Sequence, residues 1–269
     1  MTDFDQGYVS SDESKKLTLK SRFKIKTILS STNTAKVYYA RQASDNQPVV
    51  IKRIKKSDQA YLEVQHAIKA HEIIPSLCLP VIYHEESKNC LTYVQPFYGT
   101  SLFDFLSERG TPLSEIESKV VFSQLAFGMH QLQKNKIYHL DIKEENILIN
   151  PVNFEIKLID FGSSASSAEN LTEKRGSPEF AAPEMYSSKL ELNDITKYDV
   201  WSFGVTLFSS SQGQLPFEDI TDVISGEFGI EGDDSYSSVL KNCICIDSAK
   251  RASFKEVMSS MFFVDMFDF

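Results

Sequence analysis

The sequence predicts an α+β protein of two lobes, a small β-rich lobe with one helix followed by a larger α-helical lobe. Three observations predict it. Strand-type alternation around one helical run marks residues 19–95, helix-period patterns take over from residue 100, and a short segment at 96–99 separates the two textures. A length of 269 residues is enough for two such units to bury real cores. The expected organisation is an untethered polar tail over 1–18, a first lobe over 19–95, a hinge over 96–99 and a second lobe over 100–269.

Each element has its own signal. Phe23, Ile25 and Thr27 alternate with Lys24 and Lys26, the period of a half-buried strand. Residues 37–40 and 48–51 read as two further strands joined by a polar turn. Ser57 offers an N-cap for a helix that Pro75 must end. Residues 80–84 and 91–95 read as another strand pair. In the second lobe, Leu102, Phe103 and Leu106 predict a short helix, and residues 114–134 a long one with apolar positions at Val121, Leu125, Met129 and Leu132. Residues 200–210 are apolar nearly all round, which predicts a helix buried at the centre of the lobe. Residues 236–246 and 254–263 complete the set, with the phenylalanine-rich end packing down onto the lobe.

Composition excludes several classes. The chain has 28 Lys+Arg against 37 Asp+Glu, a formal net charge of −9, which disfavours nucleic-acid binding over the whole surface. The charge is uneven: residues 20–56 hold ten Lys/Arg and one acid, so the remainder is strongly acidic. Four cysteines are too few for a disulfide scaffold, and Cys243 and Cys245 lack the second pair of a zinc site. The first residues have no signal-peptide pattern, and no run of about 18 apolar residues is present. The expectation is an intracellular, cytoplasmic or nuclear protein without a membrane segment.

The chemistry concentrates in residues 138–162, YHLDIKEENILINPVNFEIKLIDFG. His139-Leu-Asp141-Ile-Lys143-Glu-Glu-Asn146 resembles the catalytic loop of eukaryotic protein kinases, and Asp160-Phe161-Gly162 resembles their metal-binding motif. The resemblance extends over about residues 22–263. It implies the two-lobed kinase fold and transfer of the ATP γ-phosphoryl group to Ser/Thr hydroxyls of proteins, with Mg²⁺, or Mn²⁺ as an alternative. Asp141 would act on the incoming hydroxyl, Lys143 on the transferring phosphate, and Asn146 and Asp160 would hold metal. Lys52 in Val49-Val-Ile-Lys52 matches the lysine of the α/β-phosphates, with Glu63 as its partner and Glu72 as the second choice. Ser177 would supply a hydroxyl bridging Asp141 and Lys143. Glu184 would pair with Arg251, and Asp199 would accept hydrogen bonds from the catalytic-loop backbone.

The same resemblance assigns the nucleotide pocket. Leu29, Ser30, Thr32, Ala35 and Val37 would cover the phosphates, Val37, Val50 and Leu148 would sandwich adenine, Gln95 would be the gatekeeper, and Phe97 and Tyr98 would offer hinge hydrogen bonds. Three departures stand out. Ser30, Thr32 and Ala35 occupy the places of three glycines, Leu140 replaces the arginine before the catalytic aspartate, and Val50 replaces an alanine. Without that arginine, activity is not expected to depend on docking a phosphorylated activation segment, although Ser163, Ser164, Ser166, Ser167 and Thr172 are modifiable hydroxyls. The glycine-free loop leaves an alternative open, a pseudokinase acting as a binding or scaffolding module. Lys143 and the Gly176-Ser-Pro-Glu179 run resemble Ser/Thr kinases, and residues 157–163 are similar to the Pim and PAS-domain kinases. Glu145 stands where basophilic relatives meet an upstream substrate Arg or Lys. A monomer is expected.

Overall fold

The computed structural model describes residues 18–167, 175–186, 195–217, 219–225, 230 and 232–267. Most of the tail expected over 1–18, together with Thr172 and the last two residues, lies outside the described residues. One turn of helix, α1 (Leu19–Arg22), precedes the first strand and was not legible in the pattern. Strands β1 (Phe23–Ser31), β2 (Ala35–Gln42), β3 (Pro48–Lys55), β4 (Tyr83–Glu86) and β5 (Cys90–Pro96) form an antiparallel sheet in the order β1-β2-β3-β5-β4. The strand expected over 80–84 begins three residues later, because Pro80 has no N–H for a ladder. Helix α2 (Asp58–Ile73) starts where the Ser57 hydroxyl accepts the Ala60 N–H, and it ends before Pro75.

Alternation along β3 gives its two faces different tasks. Val49 and Ile51 pack with Phe23, Ala40 and Val94 on one side. Val50, Lys52 and Ile54 point to the other, where Ile54 meets Ala60 of α2 together with Leu91 and Tyr93.

A second sheet joins the lobes: β6 (Thr100–Ser101), β7 (Ile147–Ile149) and β8 (Ile156–Leu158). The two-residue β6 is too short to show a period. Helices α3 (Leu102–Arg109), α4 (Glu115–Lys134), α5 (Thr196–Gln212), α6 (Ile220–Ser225), α7 (Ser235–Cys243) and α8 (Phe254–Met258) build the larger lobe. Ser114 and Glu117 form a reciprocal capping box at the head of α4. α5 is buried along most of its length, and Phe203 meets Phe122, Phe254 and Phe263 edge-on. The last helix is shorter than the 254–263 expected, yet Phe262 and Phe263 are fully buried, so the terminal segment does pack down.

Candidate active site

The site forms where the inner face of the first sheet meets the loops of the second. Val37 lies opposite Lys52 in the β2–β3 register, and Val50 lies opposite Gln95 in the β3–β5 register. Directly paired residues share a face, so Val37, Val50, Lys52 and Gln95 all look toward the second lobe. Ser30 sits opposite Val37, and the loop that follows is a hairpin closed by Thr32. The Thr32 hydroxyl accepts the Ala35 N–H at 3.0 Å, and the Thr32 N–H reaches the Ala35 carbonyl at 2.8 Å. A side-chain hydroxyl thus makes the turn without glycine.

Lys52 joins the lobes. Its Nζ lies 2.7 Å from Glu63 Oε1 and 2.6 Å from Asp160 Oδ1. Glu63 is buried and accepts a further hydrogen bond from Tyr93 Oη at 2.9 Å, whereas no ion pair involves Glu72 among the described residues. Burial works against the Lys52 ammonium, but Asp160 and then Glu63 outweigh it and raise its pKa. Asp160 is held below the usual carboxylate range; desolvation opposes this, and Lys52 overcomes it. Its backbone is left-handed, φ 64°, and the carboxylate accepts the Gly162 N–H at 3.0 Å. A non-glycine residue in that conformation is strained, and the interactions around Asp160 hold it there.

The catalytic-loop residues converge as expected, with one correction. Asn146 donates through Nδ2 to the Asp141 carboxylate at 2.9 Å and to its carbonyl at 2.8 Å. Lys143 Nζ is 3.7 Å from Asp141 Oδ2 and donates to the Ser177 hydroxyl at 2.5 Å. The Ser177 hydroxyl does not bridge the two, because the residue reaches Asp141 through its backbone N–H, at 2.8 Å. Gly176 before it has φ 85°, and a Cβ there would come within 2.4 Å of the Leu140 carbonyl oxygen, so only glycine fits. Leu140 itself is buried, filling the core where an arginine would carry charge. Fully buried Asp199 accepts the N–H groups of His139 and Leu140 at 3.0 and 2.7 Å, which fixes the loop from below.

The hinge needs a second correction. Phe97 donates its N–H to the Pro48 carbonyl at 3.0 Å, so it is not available to a base. Tyr98 forms no such backbone bond among the described residues and remains the candidate donor. Gln95 Nε2 is drawn to the Leu79 carbonyl at 3.1 Å. Leu148, in β7, is half-buried and pairs with Lys157. Leu29 is exposed on β1.

The donor set fits a hard divalent cation. Asp160 keeps 41% of its side-chain surface open, and Asn146 has its amide nitrogen committed to Asp141, leaving Oδ1 as the ligand atom. No cluster of three or more His, Cys, Asp or Glu capable of holding a metal occurs among the described residues. Two oxygen donors suit Mg²⁺, which is usually completed by water and substrate phosphates.

Beside Asp141 opens a groove of about 840 Å³, lined among others by Leu106, Lys143, Glu144, Glu145, Ser177 and Glu179. Glu144 is buried there and accepts the hydroxyls of Ser209 and Ser210 at 2.9 and 2.8 Å, and burial pushes its carboxyl upward. Glu145 and Glu179 are exposed. Glu144 carried no signal of its own in the sequence. Gln59 and His66, which contact the segment after Asp160, did carry one: with Glu63 they are spaced four and three apart, on one face of α2.

A sheet lysine held by a helix glutamate and a metal-type aspartate, above a loop that pairs Asp141 with Lys143, is the layout of a phosphotransferase site. The model of the protein kinase domain matches residues 23–263, and the chain belongs to that family. It is 26% identical over 257 residues to the serine/threonine-protein kinase prk-2 of Caenorhabditis elegans, covering 89% of this chain and 58% of that protein. Similarity also extends to the carbon catabolite-derepressing protein kinase of Candida tropicalis, 31% identical over 74% of this chain and 32% of the relative. CBL-interacting protein kinase 11 of Oryza sativa is 34% identical over 75% of this chain and 41% of its own length. The chain thus spans between about a third and three-fifths of the length of these relatives.

Proposed function

We propose that this chain is a protein serine/threonine kinase that transfers the γ-phosphoryl group of ATP to peptide hydroxyls carried by basic sequences. The observation that carries the reading is Lys52, within 2.7 Å of both Glu63 and Asp160, because this ion network assembles only when helix, sheet and metal loop are all in register. Bound Mg²⁺, held by Asp160 and Asn146, would neutralise charge on the nucleotide phosphates. Lys52 would steady the α/β-phosphates, and Tyr98 would donate to adenine between Val37, Val50 and Leu148. Asp141 orients the acceptor hydroxyl and takes its proton as the new O–P bond forms and the bond to the ADP oxygen breaks. Lys143 offsets charge on the moving group, and Ser177 holds Lys143 and Asp141 in place.

Glu145 and Glu179 on the rim of the groove, with Glu144 at its floor, support a preference for Arg or Lys near the acceptor. The pseudokinase reading rests on the glycine-free loop alone, and the Thr32 hairpin supplies the turn that glycine would otherwise make. A library of serine and threonine peptides tests the proposal with Mg²⁺-ATP as donor. Phosphorylation concentrated on basic peptides, reduced by Glu145→Gln, is the expected outcome. Incorporation that ignores Arg and Lys would remove the specificity reading, and no incorporation by folded protein would favour the scaffold.

A further inference from the structure

The inner face of α2 is tied to the segment after Asp160 by side chains with no assigned part in the reaction. His66, only 4% exposed, has Nδ1 2.8 Å from the Ser164 hydroxyl and Nε2 2.9 Å from the Ser166 hydroxyl. One turn earlier, Gln59 Nε2 donates to the carbonyls of Gly162 and Ser164 at 2.9 and 3.0 Å. Glu63 stands between them on the same face, bound to Lys52.

The direction of these bonds can be deduced. Ser164 donates its only hydroxyl proton to the Phe161 carbonyl, at 2.6 Å. Its oxygen must therefore accept from His66, so Nδ1 carries a proton. A buried imidazole near the Lys69 cation stays neutral, so Nε2 is an acceptor and Ser166 donates to it. The relay runs in one sense: Ser166 to His66, His66 to Ser164, Ser164 to Phe161.

We propose that His66 is a positioning residue whose one-way relay through Ser164 and Ser166 locks α2 against the segment after Asp160 and so keeps Glu63 on Lys52. Leu140 cannot hold a phosphorylated segment through charge-assisted bonds as an arginine would, and the relay achieves the same registration with neutral groups. Four bonds, two from the imidazole and two from the Gln59 amide, are replaced by water when α2 swings out, so the lock favours the inward position by a modest, measurable amount. The proposal rests on the phosphotransfer reading only for its kinetic arm.

The test uses the full chain and four variants, His66→Leu, His66→Asn, Ser164→Ala and the His66→Leu/Ser164→Ala double, read by amide hydrogen exchange and by peptide kinetics. Exchange in α2 should quicken about tenfold in His66→Leu, as expected for losing two hydrogen bonds. The kcat should fall by a similar factor with peptide KM unchanged, and His66→Asn, which keeps an N–H for Ser164, should recover most of both. The double variant should lose less than the product of the two singles, since both singles remove the same His66–Ser164 bond, while the separate bond from Ser164 to the Phe161 carbonyl is lost only with the hydroxyl. Wild-type exchange and kcat in His66→Leu, or a double-variant loss equal to the product of the singles, would overturn the lock. Should His66→Leu fail to fold, Ser166→Ala on the half-buried rim decides: about threefold faster exchange in α2 supports the relay, and unchanged exchange refutes it. Absence of transfer in wild-type protein would count against the kinase reading, while the exchange comparison would still decide the lock.

Discussion

Lys52 is where burial and charge compete most directly. Its ammonium is taken out of water and yet held charged, because two carboxylates approach it from different lobes. Removing the cation leaves Glu63 buried without its partner, so Lys52→Met should cut phosphoryl transfer by about a hundredfold or more while thermal unfolding remains cooperative. Asp160→Asn should abolish transfer and any Mg²⁺-dependent rise in the melting temperature of the ATP complex; a surviving metal-dependent shift would assign the metal elsewhere. His66 gives a pH signature. Burial first, and Lys69 second, lower its pKa from 6.5 to about 4. The unfolded chain therefore binds the proton that the folded protein refuses across that interval, and stability must fall as pH drops from about 6.5 to 4. Melting temperatures over this window should decline more steeply for the wild type than for His66→Leu, and parallel curves would contradict the assignment.

At the scale of elements, legibility in the sequence followed periodicity and caps. α2 was readable because Ser57 offers a cap and Pro75 a stop, and α4 from its apolar period alone; Ser57 does cap, and Ser114 proves to form a capping box. The choice of Glu63 over Glu72 followed from helix position alone. α1 and β6 are too short for any period to appear, and Phe97 was misassigned because a backbone bond to Pro48 is a tertiary fact. The relay around His66 needed the path of the segment after Asp160, which spacing does not disclose. Two element-level outcomes follow. Ser114→Ala should cost about 1 kcal/mol of stability through loss of the capping box, measurable by denaturant unfolding. In the hairpin of β1 and β2, Thr32→Ala removes the hydroxyl that accepts the Ala35 N–H, so KM for ATP should rise severalfold with kcat less affected. An unchanged KM would mean that the loop does not position phosphate.

Across the whole molecule, the two lobes are held by different means. The first is a single sheet with small apolar clusters, while the second surrounds α5 with aromatic residues. Arg251 anchors residues 175–186 to that core: it is 1% exposed, bidentate to Glu184 at 2.6 and 3.0 Å, and lies 5.0 Å from the Trp201 ring. Glu184→Gln should destabilise the second lobe by about 3 kcal/mol or more, because a buried guanidinium loses its counter-charge. The uneven charge of the chain also finds a place in the fold. Most of the basic run over 20–56 lies on the exposed strands above the nucleotide cleft, and acidic Glu144, Glu145 and Glu179 line the groove beside Asp141. The most direct measurement is transfer of labelled γ-phosphate from ATP to an arginine-containing serine peptide, with and without Mg²⁺, by wild type and Asp160→Asn. Metal-dependent incorporation by the wild type alone is predicted. Equal incorporation by both proteins, or none by folded wild type, would contradict a kinase built on Lys52, Asp141 and Asp160.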